Sequence, residues 1–468
     1  MWFLTLITLV NALAHNEGFA LRYRIEAGGL PISVFDALLA LGVVYGIVGR
    51  RSAWPTERAH PLVGWIVGLF AAGAFAGVLG ALISNAELRW MITGMRNFLA
   101  LPAGVLIGYC LLFTPRSNTR FCYLQVIAGI GTAVLVLLFF RSKAASYELD
   151  SNINKLRAVA YVSNYAGLAA ALVLFTIISK IRMFPTWLAL GICGLCFVGQ
   201  FATLTRSDWL AAIASVLAIF ALVPTYRPGG KLVAALVGPP LIAVFLWVGL
   251  ILASTVVGRD FEGRMAERVM SLVPGHAAGT HAQAWDTRLE GIRKELQLWA
   301  HSPIIGGGFG ATDVLRFRRG EQAGLSYRHN SWTSTLADAG LPGLAAISCL
   351  IFGMIVVGRR LARDGIDRGY VLIGALAVIT GVHYLFHGLA TQSFNQMRWG
   401  IPLSIVCGVA LRARAMQLTH MRVLQAEAAA GAYGPAEIDP GASAYDSDDY
   451  GAHAPAPAPA GAYASDLY

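Results

Sequence analysis

Apolar residues run along this chain in uninterrupted blocks, at about 1–14, 32–48, 62–84, 94–113, 121–140, 158–179, 184–203, 208–224, 232–253, 337–357, 370–390 and 399–412. Most are about 20 residues long, the length at which a helix crosses the roughly 30 Å hydrocarbon core of a bilayer. None alternates apolar and polar positions over about ten residues, as the strands of a membrane barrel would. The pattern predicts an all-α polytopic membrane protein with about 12 transmembrane helices and one long polar loop, about 254–336. The first block, MWFLTLITLVNALA, ends in Ala-Leu-Ala like a signal-peptide cleavage site but lacks a basic leader. It reads as a weak anchor in preference to a cleaved signal. After about residue 425 the apolar blocks stop, and Ala, Pro, Gly and acids take over. Such a segment has too little apolar surface to offset the entropy of ordering. The domain reading is therefore a membrane domain over 1–425 and a disordered cytoplasmic tail over 426–468.

Composition agrees. The chain has 468 residues, 56% hydrophobic and 13% charged, against about 25% charged in soluble domains. Its net charge of +10 fits cation-rich cytoplasmic loops. There is no basic soluble domain, which argues against nucleic acid as a partner. With the N-terminus inside, every inner loop carries at least two cations: Arg50, Arg51 and Arg58; Arg116 and Arg120; Lys180 and Arg182; Arg227 and Lys231; Arg359, Arg360, Arg363 and Arg368; and Arg412, Arg414 and Arg422. The long loop then lies outside, as do the exceptions Arg22, Arg24, Arg89, Arg141, Lys143 and Arg206. Any one of these is read first as a snorkelling or solvated residue. All six cysteines lie in or beside apolar blocks, so Cys193 and Cys196 read as small packing residues rather than a redox pair.

The polar chemistry gathers around the long loop. In YRHNSWTSTLADAGLPG (327–343), Asn330 or Ser331 can cap a short helix running to about Ala339. Gly340 suits a left-handed end, and Pro342 restarts a helix that enters the membrane. The short helix is expected on the outer surface, with His329 near the lipid headgroups. Asp338 falls in its last turn, where the dipole disfavours an acid, so a partner is expected. Upstream, Leu289, Ile292, Leu296 and Trp299 recur at helical spacing, which predicts an amphipathic helix beginning at Arg288. SPIIGGGFG follows. It is either a flexible turn or a backbone that approaches a ligand and offers N–H groups to an anion. Arg206, in LTRSDWLAA, falls on the same side, and arginine bonds two phosphate oxygens at once. A lone His329 is read first as structural, but beside Arg328, and on the side of Arg206 and Arg288, it points to anionic-lipid chemistry. No ligand spacing implies a metal.

At these residues the chain resembles the O-antigen ligase and O-antigen polymerase superfamily, membrane glycosyltransferases that use polyprenyl-diphosphate-linked glycans. SNYAGLAAALVL (163–174) resembles that family's Asn-containing helix start. LTRSDWLAA resembles its Ser-Arg-Gly segment, with Ser and Arg exchanged and Asp208 in place of a small residue. TRLEGIRKELQLWAHSPIIGGGFG resembles its Arg, helix and Pro-Leu-x-Gly-x-Gly pattern. RHNSWTSTLADAGLPG resembles its His-Asn and Glu-x-Gly-Leu-Pro-Gly signature, with Asp338 for the usual Glu. The resemblance covers about 30–412. It implies a glycosyltransferase C-like fold in the bacterial inner membrane, with a periplasmic site and inversion at the anomeric carbon, without a cofactor. It implies His329 as base, Arg206, Arg288 and Arg328 as diphosphate ligands, and Asn330 and Asp338 in support. The implied partners are a polyprenyl-diphosphate-linked glycan donor, membrane lipids, and a glycan, lipid A core or protein acceptor. A flippase or other transporter is the alternative. His383 and His387, on one face of an apolar helix, lend it some support, though they could equally close a site from below.

Overall fold

The computed structural model describes residues 2–13, 24–27, 30–53, 60–111, 115–144, 163–203, 205–222, 251, 255, 280–310, 330–365, 367–391 and 397–429. Its helices are α1 (Trp2–Leu13), α2 (Val34–Ala53), α3 (Pro61–Ile83), α4 (Leu88–Leu111), α5 (Pro115–Ala144), α6 (Ser163–Ile178), α7 (Thr186–Ala202), α8 (Arg206–Leu222), α9 (Thr280–His301), α10 (Ser331–Arg363), α11 (Arg368–Ala390) and α12 (Met397–Ala429). All but α9, which lies within the long polar loop, follow the apolar blocks. The block at 232–253 lies almost entirely outside the described residues, and residues 430–468 of the predicted tail lie wholly outside them. The chain divides into Met1–Leu418 and Thr419–Tyr468, and the contacts below all belong to the first unit.

One expectation changes. A two-stranded antiparallel hairpin, β1 (Arg24–Ala27) and β2 (Leu30–Ser33), pairs Ala27 with Leu30 and Arg24 with Ser33. Gly28 and Gly29 separate the strands, a strong sequence signal for a hairpin. Six of the described helices are long and apolar enough to cross a membrane: Pro61–Ile83, Leu88–Leu111, Arg116–Leu138, Ser331–Arg363, Arg368–Ala390 and Gly400–Ala426. The apolar stretches Asn164–Ile178 and Thr186–Ala202 are shorter. At 1.5 Å per residue they rise about 22–26 Å, less than the hydrocarbon thickness. Of these, α6 is packed against protein, with Tyr165, Ala166, Leu168 and the residues that follow buried in the core, whereas α7 buries its second half and leaves Trp187 and Leu190 exposed. The protein is a multi-pass helical bundle.

Helix ends of alternating loops gather at the same end of the bundle. At one end, the Tyr109 hydroxyl accepts from the His60 backbone N–H at 3.1 Å, and Arg360 and Arg414 act electrostatically on the His60 ring. Arg414 also binds Asp364 at 3.2 Å. Three predicted inner loops thus meet there. The opposite end brings together the turn after α3, the segment after α9 and the start of α10.

α10 is the most informative element. Asn330 caps it as expected, its Oδ1 accepting from the Trp332 and Thr333 N–H groups at 2.9 and 3.2 Å. At Gly340 the backbone turns to φ 61° and ψ −157°, so a first helix ends there and a second begins beside Pro342. The corner is as the sequence predicts, but the first helix is not exposed. Ser331, Ser334, Thr335, Ala337, Asp338 and Ala339 are all buried, because α9 and α3 pack over it.

Candidate functional site

SPIIGGGFG folds into the elbow that covers this corner. Gly306 N–H donates to Ser302 carbonyl at 2.7 Å, Gly307 N–H to Ala337 carbonyl at 2.7 Å, and Phe309 N–H to Gly77 carbonyl at 3.0 Å. Donors committed to protein carbonyls are not available to an anion, so the ligand-cradle reading of the stretch is overturned for these three groups. Its glycines serve close packing. Gly308, at φ 92°, lies directly on the backbone of Gly80 and Ala81, where any Cβ would collide. Phe309 wedges between Gly77 and Gly94.

The elbow holds α9 against the first turn of α10, and here a side chain absent from the sequence reading takes over. Glu295 is only 5% exposed. Its carboxylate accepts from Thr333 Oγ1 at 2.5 Å and Ser334 Oγ at 2.6 Å. Both donors belong to the first turns of α10, where the dipole also favours an anion. Arg288 is seven residues earlier, which is nearly two full helical turns. It therefore shares the Glu295 face of α9 and sits about 10 Å along the axis. The predicted helix is present, beginning at Thr280, but its buried stripe is centred on Glu295 rather than on Leu289 and Leu296, which are exposed. A signal was available: Glu295 sits among Ile292, Leu296 and Trp299, where a purely apolar face would not place a carboxylate.

From the same turn a second set of bonds enters the bundle. Ser331 Oγ donates to the Thr391 carbonyl at 2.6 Å. Thr391 Oγ1 lies 3.1 Å from His387 Nδ1 and donates to the His387 carbonyl at 2.8 Å. His387 Nε2 meets Asp208 Oδ1 at 2.8 Å, both side chains almost fully buried. Thr203 Oγ1 reaches the other Asp208 oxygen at 3.4 Å. Gln200 Nε2 donates to the Asp208 carbonyl, and Gln200 Oε1 accepts from the Gly167 N–H, both at 3.1 Å. One turn away, His383 Nε2 is 3.0 Å from Asn164 Oδ1 and its Nδ1 is 3.2 Å from Ser215 Oγ. The two imidazoles stack at 5.8 Å. The starts of α6, α8 and α10, the end of α11 and the middle of α9 are thus joined by one polar network. The position where the sequence departs from the pattern it resembles, Asp208, is where His387 supplies a partner.

Arg206 is the first residue of α8, two positions before Asp208, and is half-buried, as is Arg288. Asn330 caps α10. Asp338 is buried in its first helix and engaged there. Arg328 and His329 lie outside the described residues. They immediately precede Asn330 in sequence. Among the described residues no group of three His, Cys, Asp or Glu side chains gathers as a metal site. Cys193 and Cys196 are buried in α7, and Cys193 Sγ faces the Ala170 carbonyl at 3.6 Å, a packing role.

Residues 191–348 match the family described as O-antigen ligase. The matched region takes in most of α7, all of α8 and α9, and α10 past its corner, and so contains Arg206, Asp208, Arg288, Glu295, Arg328, His329, Asn330 and Asp338. It supports a place for the chain in the O-antigen ligase superfamily. No curated protein matches the chain significantly.

Proposed function

We propose that this protein is a membrane glycosyltransferase that moves a glycan from a polyprenyl diphosphate to an acceptor hydroxyl on the periplasmic side of the inner membrane, as an O-antigen ligase or polysaccharide polymerase. What carries the reading is a coincidence: the segment matching O-antigen ligase contains the starts of α8 and α10 and the buried carboxylates Asp208 and Glu295 that the polar network joins. A lipid diphosphate brings its own leaving group, so the chemistry needs positioning and charge stabilisation rather than a nucleotide.

In this mechanism Arg206 at the start of α8 and Arg288 on α9 hold the diphosphate, with Arg328 in support. His329 takes the proton from the acceptor hydroxyl. The acceptor oxygen attacks the anomeric carbon opposite the diphosphate. As that bond forms, the bond from the anomeric carbon to the phosphate oxygen breaks, and polyprenyl diphosphate leaves with the electron pair. The two arginines stabilise its charge. Attack opposite the leaving group inverts the configuration, and no step calls for a metal. Asn330 fixes the helix start that follows His329, and Asp338 supports the corner.

The flippase reading relies on His383 and His387 as ionisable groups within the bundle. Their bonds to Asn164 and Asp208, at the starts of α6 and α8, favour a role in building the site instead. Deleting the gene and resolving the cell's glycolipids on a gel tests the proposal. Long lipid-linked chains that accumulate while the outer glycolipid lacks polymer indicate a ligase. Short single-unit chains indicate a polymerase. Unchanged glycolipids contradict both.

A further inference from the structure

The α9 helix has three differently dressed sides. At 100° per residue, Glu295 and Arg288 lie within about 20° of each other on the protein side. Ile292 and Trp299 are on the same half and are partly covered. About 80–120° further round are Leu289 and Leu296, 58% and 39% exposed. Beyond them come Arg293, Gln297, Glu290 and Lys294, all exposed, with Lys294 and Glu290 paired at 2.6 Å. A helix in plain solvent has no use for an exposed leucine edge between a buried face and a charged one.

The chain itself says what covers that edge. Past α9, Trp299 Nε1 donates to the Pro303 carbonyl at 3.0 Å, and the same carbonyl accepts from the Leu341 N–H at 3.3 Å. Ile304 is therefore held beside Gly340, at the corner where α10 becomes a membrane-crossing helix. Ile304 is 69% exposed and Leu341, in the first turn of that crossing helix, 48%. A span's first turn is exposed to lipid, so the apolar edge of α9 runs on, through Ile304, from a lipid-facing surface.

We propose that α9 is an interfacial helix, with Leu289, Leu296 and Ile304 immersed in the bilayer's headgroup and acyl boundary, Glu295 locked to α10, and the Arg293–Gln297 side in water. An amphipathic helix in the membrane plane buries its apolar side about 5–10 Å into that boundary. Arg288, on the protein-facing side beside Glu295, is then held near the depth of lipid phosphates. The inference depends on the chain's spanning a membrane and not on which reaction it performs.

Single cysteines at Leu289, Leu296, Ile304, Glu290 and Gln297 test it, each spin-labelled in the full chain reconstituted into phosphatidylethanolamine and phosphatidylglycerol vesicles. Signal from the native cysteines is subtracted using the unsubstituted chain. The positions are exposed, so the labels leave the packing intact. Collision rates are then measured with oxygen, which concentrates in the bilayer, and with a neutral nickel chelate, which stays in water. Labels at 289, 296 and 304 are expected to favour oxygen over nickel several-fold relative to 290 and 297. Equal accessibility at all five, or water-like behaviour at 289 and 296, overturns the proposal. So does shielding of 289 and 296 from both reagents, which would mean that protein covers the edge.

Discussion

His387→Ala removes the ring that meets Asp208 at 2.8 Å, inside a pair whose side chains are 4% and 3% exposed. Two magnitudes compete for the outcome. Losing one hydrogen bond within a helical membrane protein costs only about 0.6–1.7 kcal/mol, because the unfolded helices also find partners. Stranding a buried charge by removing its partner costs about 3–5 kcal/mol. Burial favours the second, at its lower end because Asp208 has further contacts. Asp208 sits in the first turn of α8, where the helix dipole returns only about 0.3–1 kcal/mol. Thr203 Oγ1, at 3.4 Å, is a weak substitute. His387→Ala is therefore expected to destabilise by about 3 kcal/mol. Asp208→Asn, which keeps an acceptor but drops the charge, should cost about 1 kcal/mol. The decisive comparison is the double variant. Adding Asp208→Asn to His387→Ala removes the stranded charge, so it should recover about 1–2 kcal/mol, within the coupling range of contacting residues. Reversible unfolding in mixed micelles measures all four proteins. If the second substitution instead adds its full cost, Asp208 carries no charge that His387 balances, and the account of the pair fails.

Three further outcomes follow from other parts of the molecule. Burial, then Arg414 and Arg360, push the His60 imidazole down to about 4 from its ordinary 6.5; its Nδ1 caps α3 by accepting from Leu62 N–H at 3.3 Å. Because the folded value is depressed, the unfolded chain binds more protons between those values, so stability should hold above pH 6.5 and fall as pH drops towards 4. His60→Asn should flatten that fall in a pH series of melting temperatures. Gly308→Ala places a Cβ on the Gly80–Ala81 backbone at a positive φ and should cost at least about 1–3 kcal/mol, seen as early protease cleavage after α9. Arg206→Lys should restore little of the transfer lost in Arg206→Ala, measured at equal membrane abundance, since an ammonium cannot make the two-oxygen contact; full rescue would argue for generic charge.

The lengths of the apolar blocks place the helices, because burial in lipid demands continuous runs. The corner of α10 is legible for a different reason: Asn330, Gly340 and Pro342 each suit only certain backbone conformations, so three local signals agree. Asp208 and His387 are 179 residues apart, and no local rule joins them. Glu295 hid within an apolar stripe, since periodicity counts leucines and overlooks the acid between them. The glycine run supports either a ligand cradle or a packing elbow until the acceptors of its N–H groups are known. Block length alone does not say what covers an apolar helix: α6 is buried in protein along most of its length, whereas the start of α7 leaves Trp187 and Leu190 exposed.

Under the proposed function, a glycan leaves polyprenyl diphosphate by chemistry centred on His329 and the two arginines. Purified protein given a polyprenyl-diphosphate-linked glycan and an acceptor glycolipid should release polyprenyl diphosphate and lengthen the acceptor in equal amounts, and His329→Ala should reduce the rate about 10²–10⁴-fold while donor binding persists. An unchanged rate in His329→Ala would contradict the assignment of the base, and an absence of transfer by the unsubstituted protein would contradict the function itself.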